Sequence, residues 1–413
     1  MRILADLRPL REVPAYRRLW LGTGLSSVGS QMTSFAVALQ IYRQTHSSLA
    51  VGGVGLATAL PIIALSLVGG TVADAADRRR IMLAATLGQA VVSALLAAQA
   101  IAGLTTVWPL YALVAAASLL GALSAPASRA VLPRLVGTER VPAAAALNML
   151  TMHTAVTAGP TLAGILTAAY GLKVCYLVDA ASFAAALYGI ARLPAMPRAE
   201  TTARPGAAAI LAGLRFVLHR RIVLGALLAD VNATVLGFPF ALFPAINAAH
   251  FGGGATTLGL LNAAPAVGGV LGSALSGPVR HVSRRGVALL AAGAVWGVGV
   301  ACFGLVTNLW PALVLLVLAG AADVTAVVFR TAIVAAHTPD SFRGRVGAAE
   351  YAVGTGCPQL GNFRAGAVAT LTSPALAAVT GGLATVVGAA AIGLAIPALV
   401  RDRYQTREPV TAA

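Results

Sequence analysis

The stretch GGTVADAADRRRIM, Gly69 to Met82, decides the fold. It interrupts sequence that is otherwise free of charge: Leu49 to Val68 carries no Asp, Glu, Lys or Arg, and neither does Leu83 to Tyr111. Two acids and three arginines stand between two apolar runs, each close to the roughly 20 residues a helix needs to cross a bilayer. A short charged link opened by paired glycines is what two consecutive membrane helices require where they turn at the water interface.

The same alternation runs through the chain. Of its 413 residues 58% are hydrophobic and 10% charged, with a mean hydropathy of +0.84. A soluble domain carries about 25% charged residues, so no water-facing surface can be built from this chain. The apolar runs are continuous, which excludes the alternating strands of a membrane β-barrel. The fold class expected is therefore all-α and integral to the membrane. Hydropathy places twelve spans at 19–42, 49–73, 81–104, 108–131, 142–169, 174–193, 222–248, 255–278, 286–307, 310–335, 346–371 and 375–400. No cleavable signal is expected in MRILADLRPLREVPAYRR, which has no apolar core of the required length.

Charge sets the orientation. The net charge is +16, and of the 29 basic residues only Lys173 is lysine. Arg43 and Lys173 fall on one side and Arg364 within a span. The other 26 (29 less these three) are assigned to the N-terminus, every second link and the C-terminal tail. That asymmetry is the positive-inside rule, and it predicts cytoplasmic termini in a multi-pass protein of the cell membrane. The basicity reports topology, so no nucleic-acid partner is expected. The opposite links, such as GLTTVWP and VTNLWP, are tiny and carry interfacial Trp.

The longest internal link, 194–221, begins rich in Pro and Arg and ends with Ile210, Leu211, Leu214, Val217 and Leu218 at helical spacing. It reads as a linker with an amphipathic segment on the cytoplasmic surface. It divides the chain into six-span units at 1–193 and 222–400, with a tail at 401–413. The units echo each other: GGTVADAADRRR recurs as SGPVRHVSRRG (Ser276–Gly286), and GPTLAGIL (Gly159–Leu166) as GNFRAGAV (Gly361–Val368). Two such repeats with a substrate path between them are the plan of many secondary transporters.

On these residues the chain resembles the major facilitator superfamily over nearly its whole length. The opening stretch is similar to that superfamily's motif between helices 2 and 3, with Gly70, Asp74, Arg78 and Arg79 in place and Asp77 where Gly is usual. The resemblance implies a cytoplasmic latch, echoed in the second half by Gly277, Arg284 and Arg285. Gly70 allows close helix approach, and Asp74 can accept from Arg78 or from a helix N-terminus. The plainer alternative is that the arginines only set topology. Gly159, Pro160 and Gly164 resemble, in shortened form, the Gly-Pro motif of drug/proton antiporters, which favours export over import. Finer similarity, in Pro14–Gly52, Gly213–Arg221, Thr338–Val346 and Thr370–Gly382, is to the enterobactin exporter branch, which also holds Tap-like multidrug pumps. That implies proton-driven export of a catechol siderophore or hydrophobic drugs. An importer of a small metabolite or sugar is the alternative, and a membrane-embedded enzyme a remote one.

Ionisable residues inside a span cost on the order of 2.5–3.5 kcal/mol by insertion scales, so each needs a reason. Four acids qualify: Asp179, Asp230, Asp323 and Glu350. Asp230 and Asp323 are the favoured proton carriers. Arg364 follows Glu350 by fourteen residues on the same span, placing the two within about 40° of each other and about 21 Å apart, where both can line one path. A structural Asp323–Arg364 pair is the alternative. His153 has the chemistry of a relay, though a plain interhelical hydrogen bond is the commoner use. Arg129 and Arg134 are expected to snorkel at the end of span 4. Gln31, Phe35, Gln40, Asn148, Asn232, Phe238 and Phe240 are the candidate cavity residues.

The chain has no GxxxxGK[ST] phosphate loop and no HExxH, and Cys175, Cys302 and Cys357 are isolated. No cofactor or metal is expected. The partners expected are a small-molecule substrate, protons and the lipid bilayer, with the protein a monomer.

Overall fold

The structure is a computed structural model describing residues 6–68, 77–194, 213, 215–274, 282–339 and 342–402. Within them lie α1 (Arg8–Glu12), α2 (Pro14–Thr45), α3 (Ser48–Val68), α4 (Arg78–Ile101), α5 (Trp108–Val136), α6 (Val141–Tyr170) and α7 (Lys173–Ala191). There follow α8 (Arg221–Val231), α9 (Phe243–His250), α10 (Ala255–Ala274), α11 (Arg285–Leu305), α12 (Leu309–His337), α13 (Arg343–Leu371), α14 (Pro374–Ala395) and the short α15 (Pro397–Val400).

Among the described residues, nine segments are long and apolar enough to cross a membrane: α3, α4, α5, α7, α8 through α9, α10, α11, α12 and α14. The other three expected spans are the 32-residue α2, the 30-residue α6 and the 29-residue α13. These have spanning length but more polar sequence. In α2 and α13 part of that polarity belongs to Gln31, Ser34, Gln359 and Asn362, which line a cavity.

The turns follow from local chemistry. Helix α2 ends at His46, whose left-handed backbone (φ 50°) lets its N–H bond the carbonyl of Tyr42 at 2.7 Å, so that α3 restarts two residues later. Gly171 ends α6 at φ 82° with its N–H on Thr167, a conformation that favours glycine. In the linker, Val217 is buried and Leu218 exposed, while Phe216 stacks on Phe342 just before α13 at 4.7 Å. The rest of the amphipathic segment lies outside the described residues.

Helices α2 to α7 pack among themselves, chiefly α2 on α6 and α7 and α4 on α5 and α7; α10, α11, α12 and α14 pack likewise. The two sets meet along two seams, α3 on α13 and α6 on α10. The sequence echo between Gly159–Leu166 and Gly361–Val368 makes α6 the counterpart of α13. The same equivalence relates α3 to α10, so each seam is the image of the other. In the second seam backbones nearly touch: a Cβ on Gly164 would lie 2.7 Å from the Ala255 carbonyl oxygen, and one on Gly259 2.6 Å from that of Pro160. Dense packing of small residues is how helices associate where lipid gives no hydrophobic drive.

The expected span 222–248 is not one continuous helix. Helix α8 widens into a π turn over Asn232–Leu236, breaks after Gly237 at Phe238 and Pro239, makes a 3-10 turn over Phe240–Leu242 and resumes as α9. Pro239 and Pro244 each lack the N–H that an unbroken helix would use. Helix α13 satisfies the freed backbone: Arg364 Nη2 donates to the Leu236 carbonyl at 2.5 Å, and Asn362 Oδ1 accepts from the Ala241 N–H at 3.0 Å.

Candidate functional site: a central cavity and a buried acid cluster

Between the seams lies a cavity of about 270 Å³. Helix α2 contributes Gln31, Ser34 and Phe35, α3 Gly55 and Thr58, and α6 Val156 and Pro160. The break after α8 contributes Phe238 and Phe240, α10 Asn262, and α13 Gln359 and Asn362. Phe238 packs on Phe240 at 4.6 Å and reaches Trp296 at 6.3 Å, giving one aromatic wall. Gln31, Asn262, Gln359 and Asn362 add amide groups to the lining, and no charged side chain lines the cavity among the described residues. It therefore suits a ligand with aromatic surface and polar edges.

Of the residues expected there, Gln31, Phe35, Phe238 and Phe240 line the cavity and three do not. Gln40 is buried, its amide exchanging hydrogen bonds with Gln99 and accepting from Tyr176. Asn148 accepts from the Tyr16 hydroxyl at 3.0 Å. Asn232 donates to the Thr385 carbonyl at 2.8 Å, tying the π turn to α14. Gln40 and Asn232 thus serve helix packing, while Asn148 is exposed outside the cavity.

A second arrangement lies deeper in the α8–α14 half. Asp230 on α8 forms a buried ion pair with Arg330 on α12. Arg330 is only 9% exposed, so it does not belong with the interfacial arginines among which the charge count places it. Asp323 lies two turns before Arg330 on α12 and feels the charges of both Arg330 and Asp230. Glu350 on α13 is half-buried and feels the same two. Three carboxylates thus share one cation. No Asp323–Arg364 ion pair is present among the described residues, where Arg364 instead donates to the Leu236 carbonyl at the break after α8; neither Arg364 nor Glu350 lines the central cavity. His153 sits on α6 outside the cavity lining and outside this cluster.

The family profile described as transmembrane secretion effector matches residues 4–409. The chain belongs to that family, within the major facilitator superfamily. It is 27% identical over 410 residues to the enterobactin exporter EntS of Citrobacter koseri, covering 98% of this chain and 96% of that one. To the enterobactin exporter EntS of Shigella boydii serotype 18 it is 28% identical over 413 residues, covering 99% and 98%. Among solved structures, a bacterial homologue of the human lysosomal transporter Spinster, inward-facing and unoccupied, superposes with a TM-score of 0.74 at 15% identity, covering 97% of this chain and 99% of that one. The nucleoside transporter NupG superposes at 0.74 with 14% identity, covering 95% and 100%. The protein thus has the major facilitator fold and is a secondary transporter rather than an enzyme.

Of the latch motif in this transporter, Gly70, Asp74 and Gly277 lie outside the described residues. Arg78 opens α4, and Arg79 Nη2 donates to the Ala191 carbonyl at the end of α7 at 2.5 Å, a good place for a cation. Asp77, where the superfamily motif has Gly, is the N-cap of α4 and accepts from the Arg79 N–H at 2.8 Å. Arg284 caps and Arg285 opens α11, the corresponding place in the second half. Arg129 does more than snorkel: its guanidinium lies 4.3 Å from the Tyr351 ring centroid, joining α5 to α13 across the two halves. Gly159 faces α2 beside Gln31, while Gly164 faces α10, so the Gly-Pro motif serves both the first half's packing and the seam.

Proposed function

We propose that this transporter exports a catechol siderophore, or hydrophobic drugs of similar aromatic character, across the cell membrane by alternating access coupled to proton entry. The observation that carries the reading is the full-length similarity to enterobactin exporters, joined to an uncharged cavity of aromatic and amide side chains between two packed halves. Residues 1–193 and 222–400 act as the rocking units, joined by 194–221, with the tail at 401–413. Gly70, Asp74, Arg78 and Arg79 form the latch with their counterparts Gly277, Arg284 and Arg285. Asp323, Asp230 and Glu350 share Arg330 with a proton, which supplies the charge that one cation cannot. Both termini are cytoplasmic, and the tightest part of the α6–α10 seam lies toward the outside.

The test uses inverted membrane vesicles with an acidic lumen. Adding a metal-free catechol siderophore outside should dissipate the proton gradient and accumulate the compound inside. A proton symporter working as an importer gives no such dissipation, because inward movement of added substrate would carry protons up their gradient. Failure with siderophores, dyes and antibiotics alike would sink the export reading.

Orientation is tested separately. Ser283 and Thr106 are both exposed. Ser283→Cys should react with a membrane-impermeant thiol reagent only in inverted vesicles, and Thr106→Cys only in intact cells. Labelling from the opposite sides would overturn the placement of the termini.

A further inference from the structure

Asp179 takes no part in the cluster around Arg330. It lies on α7 in the other half, is 1% exposed and makes no ion pair among the described residues. Hydroxyls surround it instead. From α2, Thr33 donates to Oδ2 at 2.7 Å and Ser30 to Oδ1 at 3.3 Å. From α4, Ser93 donates to Oδ2 at 2.6 Å. Ser182, one turn on, donates to the Asp179 backbone carbonyl at 2.7 Å. Gly29 closes the remaining side, where a Cβ would stand 2.6 Å from Ser182 Oγ and 2.7 Å from Asp179 Oδ1.

No charged side chain on the elements packed against it, α2, α4 and α6, contributes to the electrostatics at Asp179. The titratable neighbours on α7 itself are otherwise engaged, Cys175 with Thr167 and Tyr176 with Gln40. A carboxylate in a span without a cation is costly, so three helices have converged on it for a reason other than ion pairing.

Two features of the cage indicate its ligand. A hydroxyl can donate to a carboxylate or accept from a carboxylic acid through the same oxygen, so one set of partners serves both charge states; lysine or arginine would serve only the ionised one. The 2.6 and 2.7 Å separations are hydrogen-bond lengths. A crevice reaches the cage at Ser30, whereas Asp179, Thr33 and Ser93 do not line it. Its volume is about 370 Å³, and Ser30 lines it with Thr23, Ser26, Ser27, Thr86 and Ser124, toward the arginine-rich helix ends. Gln31 and Ser34 line both this crevice and the central cavity.

We propose that Asp179, caged by Ser30, Thr33 and Ser93, is a second proton-binding site, separate from the Asp230–Arg330 cluster and reached by water through the hydroxyl-lined crevice. The proton adds to a carboxylate oxygen, which then donates to a cage hydroxyl, and it leaves to water by the reverse exchange. This goes beyond the export reading, and its primary test needs neither substrate nor transport.

Purified full-length protein in lipid is titrated while the carbonyl stretch of protonated carboxylic acids is followed by infrared difference spectroscopy. A titrating band should be present in the parent, absent in Asp179→Asn and retained in Asp323→Asn. In Ser93→Ala its midpoint should move to higher pH, because the charge-assisted bond lost from the ionised form is stronger than the one lost from the neutral acid. Replacing choline with sodium at constant pH and ionic strength should leave the band unchanged. An unaltered band in Asp179→Asn would overturn the proposal. So would loss of the band on adding sodium, which would make the cage a metal-cation site. If Asp179→Asn does not fold, an unmoved midpoint in both Ser93→Ala and Thr33→Val overturns it equally.

Discussion

Replacing Arg330 with methionine is expected to abolish transport and to cut the yield of folded protein several-fold. Arg330 is buried in α12 with Asp230 as its ion-pair partner, and Asp323 and Glu350 lie within its field. Removing one member of a buried ion pair leaves the other uncompensated, at about 3–5 kcal/mol, a large share of the roughly 5–15 kcal/mol that holds a typical domain folded. Here the loss is compounded, because three carboxylates would remain with no cation among them. The double variant Asp230→Asn with Arg330→Met removes both partners and should restore much of the yield without restoring uphill transport. Detergent-solubilised yield, thermal stability and vesicle flux, measured on the same preparations, check both statements. Normal yield and flux in the single variant would mean that the cluster neither supports the fold nor carries the coupling.

Arg330 also shows where sequence reading stops. Hydropathy locates a span but not its end, and Arg330 lies near the basic link that follows α12, so a charge count groups it with the interfacial arginines. Its partner Asp230 sits about a hundred residues earlier, a separation no local pattern bridges. One signal is present: Asp323 and Arg330 are seven residues apart, hence two turns along one helix face. The break after α8 escapes hydropathy for a related reason. Phe238 and Phe240 are strongly apolar and Gly237 and Pro239 uncharged, so the span runs through them, although the Gly–Pro spacing marks a helix stop. Once that break is seen, Arg364 has a local partner, as the donor to a freed carbonyl. The seams are more legible, because small residues at matched places in two repeats report close helix approach directly. Gln40, Asn148 and Asn232 cannot be told from Gln31 by composition; only packing separates an amide facing a neighbouring helix from one facing a cavity.

Asp323→Asn is expected to abolish uphill export while leaving yield and downhill exchange near normal, whereas Asp230→Asn should lower yield along with both activities. Both acids are candidate proton carriers, but their different surroundings predict different outcomes when each is neutralised. Asp230 is committed to Arg330, so neutralising it strands a buried guanidinium, whose Nε already has no hydrogen-bond partner among the described residues. Asp323 makes no ion pair of its own among the described residues and shares the same cation only at a distance. A permanently neutral side chain there mimics the protonated state, so the halves can still rock around bound substrate, but the cycle no longer consumes a proton. Comparing expression, exchange of labelled substrate at equal concentrations and accumulation against a gradient in the two variants separates these roles. Full uphill export by Asp323→Asn would remove it from the coupling path. Proportional loss of yield and both activities in that variant would instead make Asp323 a structural acid, and Glu350, the third carboxylate in Arg330's field, would then be the group to neutralise.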